Sequence, residues 1–214
     1  MPRLLIIGAG AQARQILNIV DLARTAEVVG LIDTFENPAL WGQTVGGAKV
    51  LGGLAALDSF SPAKDLRVIT AVADLKRKRE LVGLLQQRGY EFISVIHPSA
   101  IMAASAKVGE GCIVNAGVVL ENDVRIGRHV IVHAGAILEH DNVLDDFVNI
   151  GPGVKTGGRV RFCEGAIIFT GATAIPDVTI GKDAVVGAGS VVFRDVPAGC
   201  VVMGSPARAV RQND

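Results

Sequence analysis

From Val95 to Val196 the chain repeats every six residues without a break: VIHPSA IMAASA KVGEGC IVNAGV VLENDV RIGRHV IVHAGA ILEHDN VLDDFV NIGPGV KTGGRV RFCEGA IIFTGA TAIPDV TIGKDA VVGAGS VVFRDV. The second place of each hexad is aliphatic almost throughout, as at Ile96, Val108, Val114, Leu120, Ile126, Val132 and Leu138. Met102 and Phe162 fill it acceptably, and Thr156 and Ala174 fill it least well. The sixth place is small or valine, with Asn142 the exception. A period of six sustained over such a length predicts a hexapeptide parallel β-helix, in which each hexad is one short strand and a turn and three hexads close a triangular coil. Abundant glycine (26 residues) and few aromatics (4 %) suit thin layers joined by tight turns.

Such a coil makes neighbours of residues 18 apart, stacked at about 4.8 Å. Asn122, His140, Gly158 and Pro176 then form one column. Outward first places carry apolar rows, Ile101, Val119 and Ile137 on one face and Ile113 and Ile131 on another. Rows of this kind are expected to be covered by neighbouring subunits, in a trimer of cyclic symmetry.

Residues 1–94 follow another rule. RLLIIGAGAQARQILNIV reads as a buried strand, a glycine turn and a helix with apolar residues at helical spacing. AEVVGLID and LRVITAVAD read as further strands, and KRKRELVGLLQQRG as a helix ending at Gly89. The alternation predicts a small parallel α/β, Rossmann-like domain over 1–94, followed by the β-helix over 95–214. Gly8, Gly10 and Ala13 match G-x-G-x-x-G/A between strand and helix, and Asp33 ends the next strand. Helix-start amides at Ala11, Gln12 and Ala13 would hold phosphates, and Asp33 would accept from a ribose hydroxyl. A dinucleotide needs two such halves, so a nucleotide or nucleotide sugar fits better than NAD. The rival reading is a tight turn with an incidental acid.

Charges balance at 21 against 21, which argues against nucleic acid or anionic lipid as the main partner. Cys112, Cys163 and Cys200 form no metal or redox motif and are expected as free thiols. The opening MPRLLIIGAG is too short for a signal peptide or a membrane span, so a cytoplasmic protein without a membrane partner is expected.

The phrases IIGAGAQAR, GLID, VIHPSA, AILEHDNVLDDFVNIGPGVKTGG and VVGAGSVVFRDVP…VMGSPAR together resemble the sialic-acid O-acetyltransferase/bacillosamine-pathway N-acetyltransferase family of hexapeptide sugar acyltransferases, over nearly the whole chain. The resemblance implies an α/β nucleotide-sugar domain followed by a left-handed β-helix, with acetyl-CoA as co-substrate, no metal, and active sites between the subunits of a homotrimer. It makes His140 the general base and Asp141 the acid that strengthens it. It also assigns Gly158 a backbone amide for the thioester oxygen, a reading its column supports independently. Asn149 stands where relatives carry a second histidine near the acetyl donor. Thr170 and Ala188 match positions along the pantetheine groove. Gln12, in Ala11-Gln12-Ala13-Arg14, replaces a histidine near the sugar, and Thr34 a second acid after Asp33. Direct transfer needs no nucleophilic cysteine.

Of the other histidines, His133 is a candidate near a neighbouring subunit's substrate, His97 packs the domain junction, and His129 is expected to be exposed. KRKR at 76–79 reads as a solvated helix face, with a contact to a nucleotide phosphate as the alternative, and Asp74 as a helix cap or nucleotide contact. Asp145 and Asp146 add negative field. The reading is an acetyl-CoA-dependent N-acetyltransferase acting on a UDP- or GDP-linked amino sugar for surface glycans. The alternatives are O-acetylation of a sialic-acid-like sugar, and a non-catalytic nucleotide-sugar-binding protein.

Overall fold

The computed structural model describes residues 1–62 and 64–212. It divides the chain into two compact units, Met1–Val95 and Ile96 onward.

In the first unit, β1 (Arg3–Ile7), α1 (Ala11–Ala23), β2 (Glu27–Ile32), β3 (Thr44–Val45), β4 (Ala48–Gly52), β5 (Leu66–Thr70), α2 (Leu75–Gln87) and β6 (Glu91–Phe92) follow one another. The sheet order is β3-β4-β2-β1-β5-β6, parallel except for the β3–β4 hairpin. β1 is central, which explains its unbroken LLII. A parallel strand covered on both faces buries every side chain, so alternation disappears, and Leu4 to Ile7 are fully buried. α1 packs Ala13, Ile16, Leu17, Ile19 and Val20 inward and stops where Arg24 turns left-handed. α2 starts at an Asp74 cap whose carboxylate accepts from Arg77 N at 2.7 Å. The KRKR run departs from a simple solvated face: Lys78 is buried, and Arg77 reaches back to Thr34 O at 3.2 Å.

The second unit is a three-sided parallel β-helix. Two-residue strands pair with strands 18 residues on, as Val119–Leu120 with Ile137–Leu138 and Arg125–Ile126 with Val143–Leu144, building three sheets. Second and sixth places fill the interior, which is mostly aliphatic from Val114 to Val192, with Phe162 and the buried polar residues Asn142, Thr156 and Ser190 as the departures. Each fifth place from Gly111 to Gly189 has a positive φ, and these left-handed residues turn the chain at every corner. Glycine and aspartate accept that conformation most readily, which accounts for much of their placement. After Val192 the register shortens. Val201 pairs with Val185, and Cys200–Met203 forms an antiparallel hairpin with Arg208–Gln212.

Two expectations for this unit are corrected. Ile113 and Ile131 are already buried within the chain, so they offer no row for a neighbour, whereas Ile101 is 66 % exposed. His129 is buried rather than exposed, its ring stacked on Phe147 at 5.1 Å between centroids. His97 accepts from Ser99 N at 3.1 Å, a local turn bond.

Candidate active site

The corner after Ile137–Leu138 carries His140 at the fourth place and Asp141 at the fifth. Asp141 has φ +60°, so it turns the chain and also places its carboxylate beside the imidazole, Oδ2 lying 2.8 Å from His140 Nδ1. Both side chains are about half exposed. If Nδ1–H donates to Asp141, Nε2 keeps its lone pair and can act as a base, and it is the ring atom nearest the place a Gly158 Cβ would take.

Gly158 lies one coil on in the same column, and Arg159 N donates to His140 O at 2.9 Å. A Cβ on Gly158 would stand 2.5 Å from His140 Cε1 and 3.0 Å from Cδ2, so glycine is what lets the ring lie across this rung. Among the described residues the Gly158 N–H has no acceptor, which leaves it available to a developing oxyanion. Asn122 and Pro176 complete the column, through Asp141 N to Asn122 O at 2.9 Å and Asp177 N to Gly158 O at 3.1 Å. Arg159 pairs with Asp177 at 2.6 and 2.8 Å, and the guanidinium holds that carboxyl below the usual carboxylate range.

Thr170 and Ala188 are exposed and stack on a different corner, with Gly189 N donating to Thr170 O at 2.9 Å. His133 adjoins that corner. Asn149 lies on the sheet leading to it, paired with Ile131 and Ile167. One chain therefore separates His140 from the residues expected at the acetyl donor.

In the first unit, Gly8 has φ +134°, and a Cβ there would lie 2.6 Å from Ala71 O. Only glycine permits that approach of β1 to the end of β5. Gly10 is an exposed cap with no side-chain bond to the helix start, and no acidic residue occupies the first turn of α1. The amides of Ala11, Gln12 and Ala13 thus meet a helix terminus suited to an anion. Gln12 Oε1 and Thr34 Oγ1 are buried without a protein partner among the described residues. Thr70 Oγ1, at the end of β5, is a third such atom that sequence reasoning missed; its only signal was a polar residue closing a buried strand.

Asp33 has another task than the one expected. It is 1 % exposed, and its carboxylate accepts from Phe35 N (3.0 Å), Asn37 N (2.6 Å) and Trp41 Nε1 (3.4 Å). It holds its own loop, and a ribose hydroxyl finds no exposed oxygen of it. Among the described residues no group of three or more His, Cys, Asp or Glu is arranged to hold a metal, and no helix is long and apolar enough to cross a membrane.

Three family models match: the PglD N-terminal domain over residues 3–85, the bacterial transferase hexapeptide (six repeats) over 105–140, and the hexapeptide repeat of succinyl-transferase over 169–194. A GDP-perosamine N-acetyltransferase from Escherichia coli O157:H7 is 29 % identical over 97 % of this chain and 96 % of its own length. Among solved structures, a histidine-to-alanine mutant of GDP-perosamine N-acetyltransferase from Caulobacter crescentus, in complex with CoA and GDP-perosamine, superposes with a TM-score of 0.92. It is 31 % identical, over 99 % of this chain and 98 % of that one. The acetyltransferase domain of PglB from Neisseria gonorrhoeae FA1090, in complex with acetyl coenzyme A, gives a TM-score of 0.89 at 30 % identity, over 98 % and 99 %. With both units matched along their length, the chain belongs to the sialic-acid O-acetyltransferase/bacillosamine-pathway N-acetyltransferase family of left-handed β-helix sugar acyltransferases.

Proposed function

We propose that this protein transfers the acetyl group of acetyl-CoA to the amine of a nucleotide-linked 4-amino-4,6-dideoxy sugar, as a step in surface glycan synthesis. The observation that carries the reading is the His140–Asp141 pair set directly over Gly158 on one prism edge. Full-length likeness to enzymes named for GDP-perosamine favours a GDP-linked sugar over a UDP-linked one.

In this reading Asp141 accepts from Nδ1–H and keeps the tautomer with a free Nε2. Nε2 takes a proton from the sugar amine as the nitrogen attacks the thioester carbonyl. The Gly158 N–H donates to the oxygen that becomes negative, the C–S bond breaks, and the CoA thiolate leaves and takes up a proton. The first unit holds the nucleotide at the α1 start, with Gly8, Gly10, Gln12 and Thr34 around it. Asn149, Thr170 and Ala188 meet the acetyl donor from another corner, so the complete site is shared between subunits of a homotrimer, with the exposed Ile101 and the half-buried Val119 and Ile137 at an interface.

The test is thiol release from acetyl-CoA with a panel of GDP- and UDP-linked 4-amino sugars, wild type beside His140→Ala. Turnover on one sugar, lost at least about 10³-fold in the variant, is expected for removal of a general base with its orienting acid. Full turnover by His140→Ala would remove the base assignment, and silence on every sugar would remove the substrate. Sedimentation analysis checks the trimer; a fully active monomer overturns the shared site.

A further inference from the structure

Asn142 and Thr156 both break the aliphatic rule of the prism interior, and the structure makes them partners. Asn142 Nδ2 donates to Thr156 Oγ1, while Asn142 Oδ1 accepts from Val160 N at 2.6 Å. Thr156 Oγ1 also accepts from Glu139 N at 3.1 Å and donates to Ile137 O at 3.5 Å. Every hydrogen-bonding site of the threonine hydroxyl is thereby used.

The backbone groups so held bracket one corner. Ile137, Glu139 and Asn142 flank His140 and Asp141, while Thr156 and Val160 flank Gly158 on the next coil. Elsewhere the third-place amide donates to a second-place carbonyl one coil on, as Glu121 N to Leu138 O (3.0 Å) and Gly157 N to Ala174 O (2.8 Å). At Glu139 the acceptor is the Thr156 hydroxyl instead, and the strand pairing here is confined to Ile137 with Lys155. One rung of the ladder has been exchanged for directional side-chain bonds, and it is the rung beneath the His140 corner.

Stability is a weak reason for such a pair, because replacing both partners by apolar groups of like shape is often neutral. The neighbouring hexads accomplish closure with apolar residues alone, valine, leucine, isoleucine, alanine and, at Phe162, phenylalanine. We propose that Asn142 and Thr156 are positioning residues, a buried polar clamp that sets the height and direction of His140 over Gly158. The clamp rests on the reading of His140 as the base, since through that ring it governs the approach of amine and thioester.

The experiment is the double variant Asn142→Val/Thr156→Val, which restores the ordinary hexad pattern, assayed for acetyl transfer to a GDP-linked 4-amino-4,6-dideoxy sugar beside Thr156→Ser and His140→Ala. The double variant should melt no earlier than wild type and keep both KM values, while kcat falls roughly 10–100-fold, the scale set by sub-ångström to ångström misplacement of a reacting group. Thr156→Ser, which keeps the hydroxyl, should stay near wild type. A double variant with wild-type kcat overturns the clamp. If it fails to fold, Thr156→Val alone decides: wild-type kcat again overturns the proposal, and a lost kcat rescued by serine supports it. Full activity in His140→Ala refutes the base itself, whereas an inactive His140→Ala beside a fully active double variant refutes only the clamp. A crystal structure of the double variant reads the geometry without turnover: a displaced His140–Gly158 corner supports the proposal, and an unmoved one overturns it.

Discussion

Gly158→Ala isolates the one contact on which the candidate site most depends. The new methyl would lie 2.5 Å from His140 Cε1 and 3.0 Å from Cδ2. Ordinary carbon contacts begin near 3.5 Å, so the ring has to move by about 1 Å. Backbone strain does not confuse the result, because Gly158 is absent from the positive-φ positions. The N–H is also retained, so the proposed oxyanion donor survives and the loss reports the proposed base. His140 is half exposed and swings outward without opening the interior, at the expense of its 2.8 Å bond to Asp141. An exposed pair of this kind contributes at most about 1 kcal/mol. Tm should therefore fall by no more than about 4 °C. Catalysis is more sensitive: a displacement of about 1 Å lowers kcat on the order of 100-fold, which is about 2.7 kcal/mol in the barrier. The assay is steady-state thiol release with paired thermal melts, and binding of the nucleotide sugar should be unchanged. A kcat within about threefold of wild type at normal Tm would refute the reasoning, because that rate ratio leaves under 1 kcal/mol for the displaced base.

Other consequences follow from local geometry. Burial raises the Asp146 carboxyl, but the Arg128 N–H, the guanidinium bond at 2.7 Å and its charge outweigh this and leave it below the usual carboxylate range. A depressed folded value means that the stabilisation is present above the unfolded value near 4 and is lost as pH falls through the folded one. Asp146→Asn should thus destabilise by at most about 1 kcal/mol at pH 7 and converge with wild type in acid, measured by urea unfolding at several pH values. Gly83, inside α2, has open space where an alanine methyl would stand, with no atom within 4 Å, and Gly83→Ala should raise stability by about 0.5–1 kcal/mol in thermal melts. Asp33→Ala should free the loop that it holds. Trp41, the single tryptophan, then loses its partner, so its emission should shift to the red and quench more readily; an unchanged spectrum would remove the loop-holding role.

The hexad period alone determined the prism, its three faces, the 18-residue stacking and the His140–Gly158 column, because each rung repeats the same local backbone bonds and the same inward pair of side chains. The glycine turn and the alternating strand and helix likewise made the first unit legible, since both depend on short-range chain geometry. What only the tertiary structure decided concerns groups that meet by packing. Ile113 and Ile131 share the outward place of Ile101 yet are buried, and His129 stacks on Phe147, because a periodic pattern does not record what covers a face. Asp33 turned inward to its own loop because three donors converge there once the chain folds. Asn142 and Thr156 looked like two separate defects in the repeat. They are 14 residues apart, a spacing that is neither a hexad nor a coil, and they join only because the second and sixth places of successive coils face the same interior.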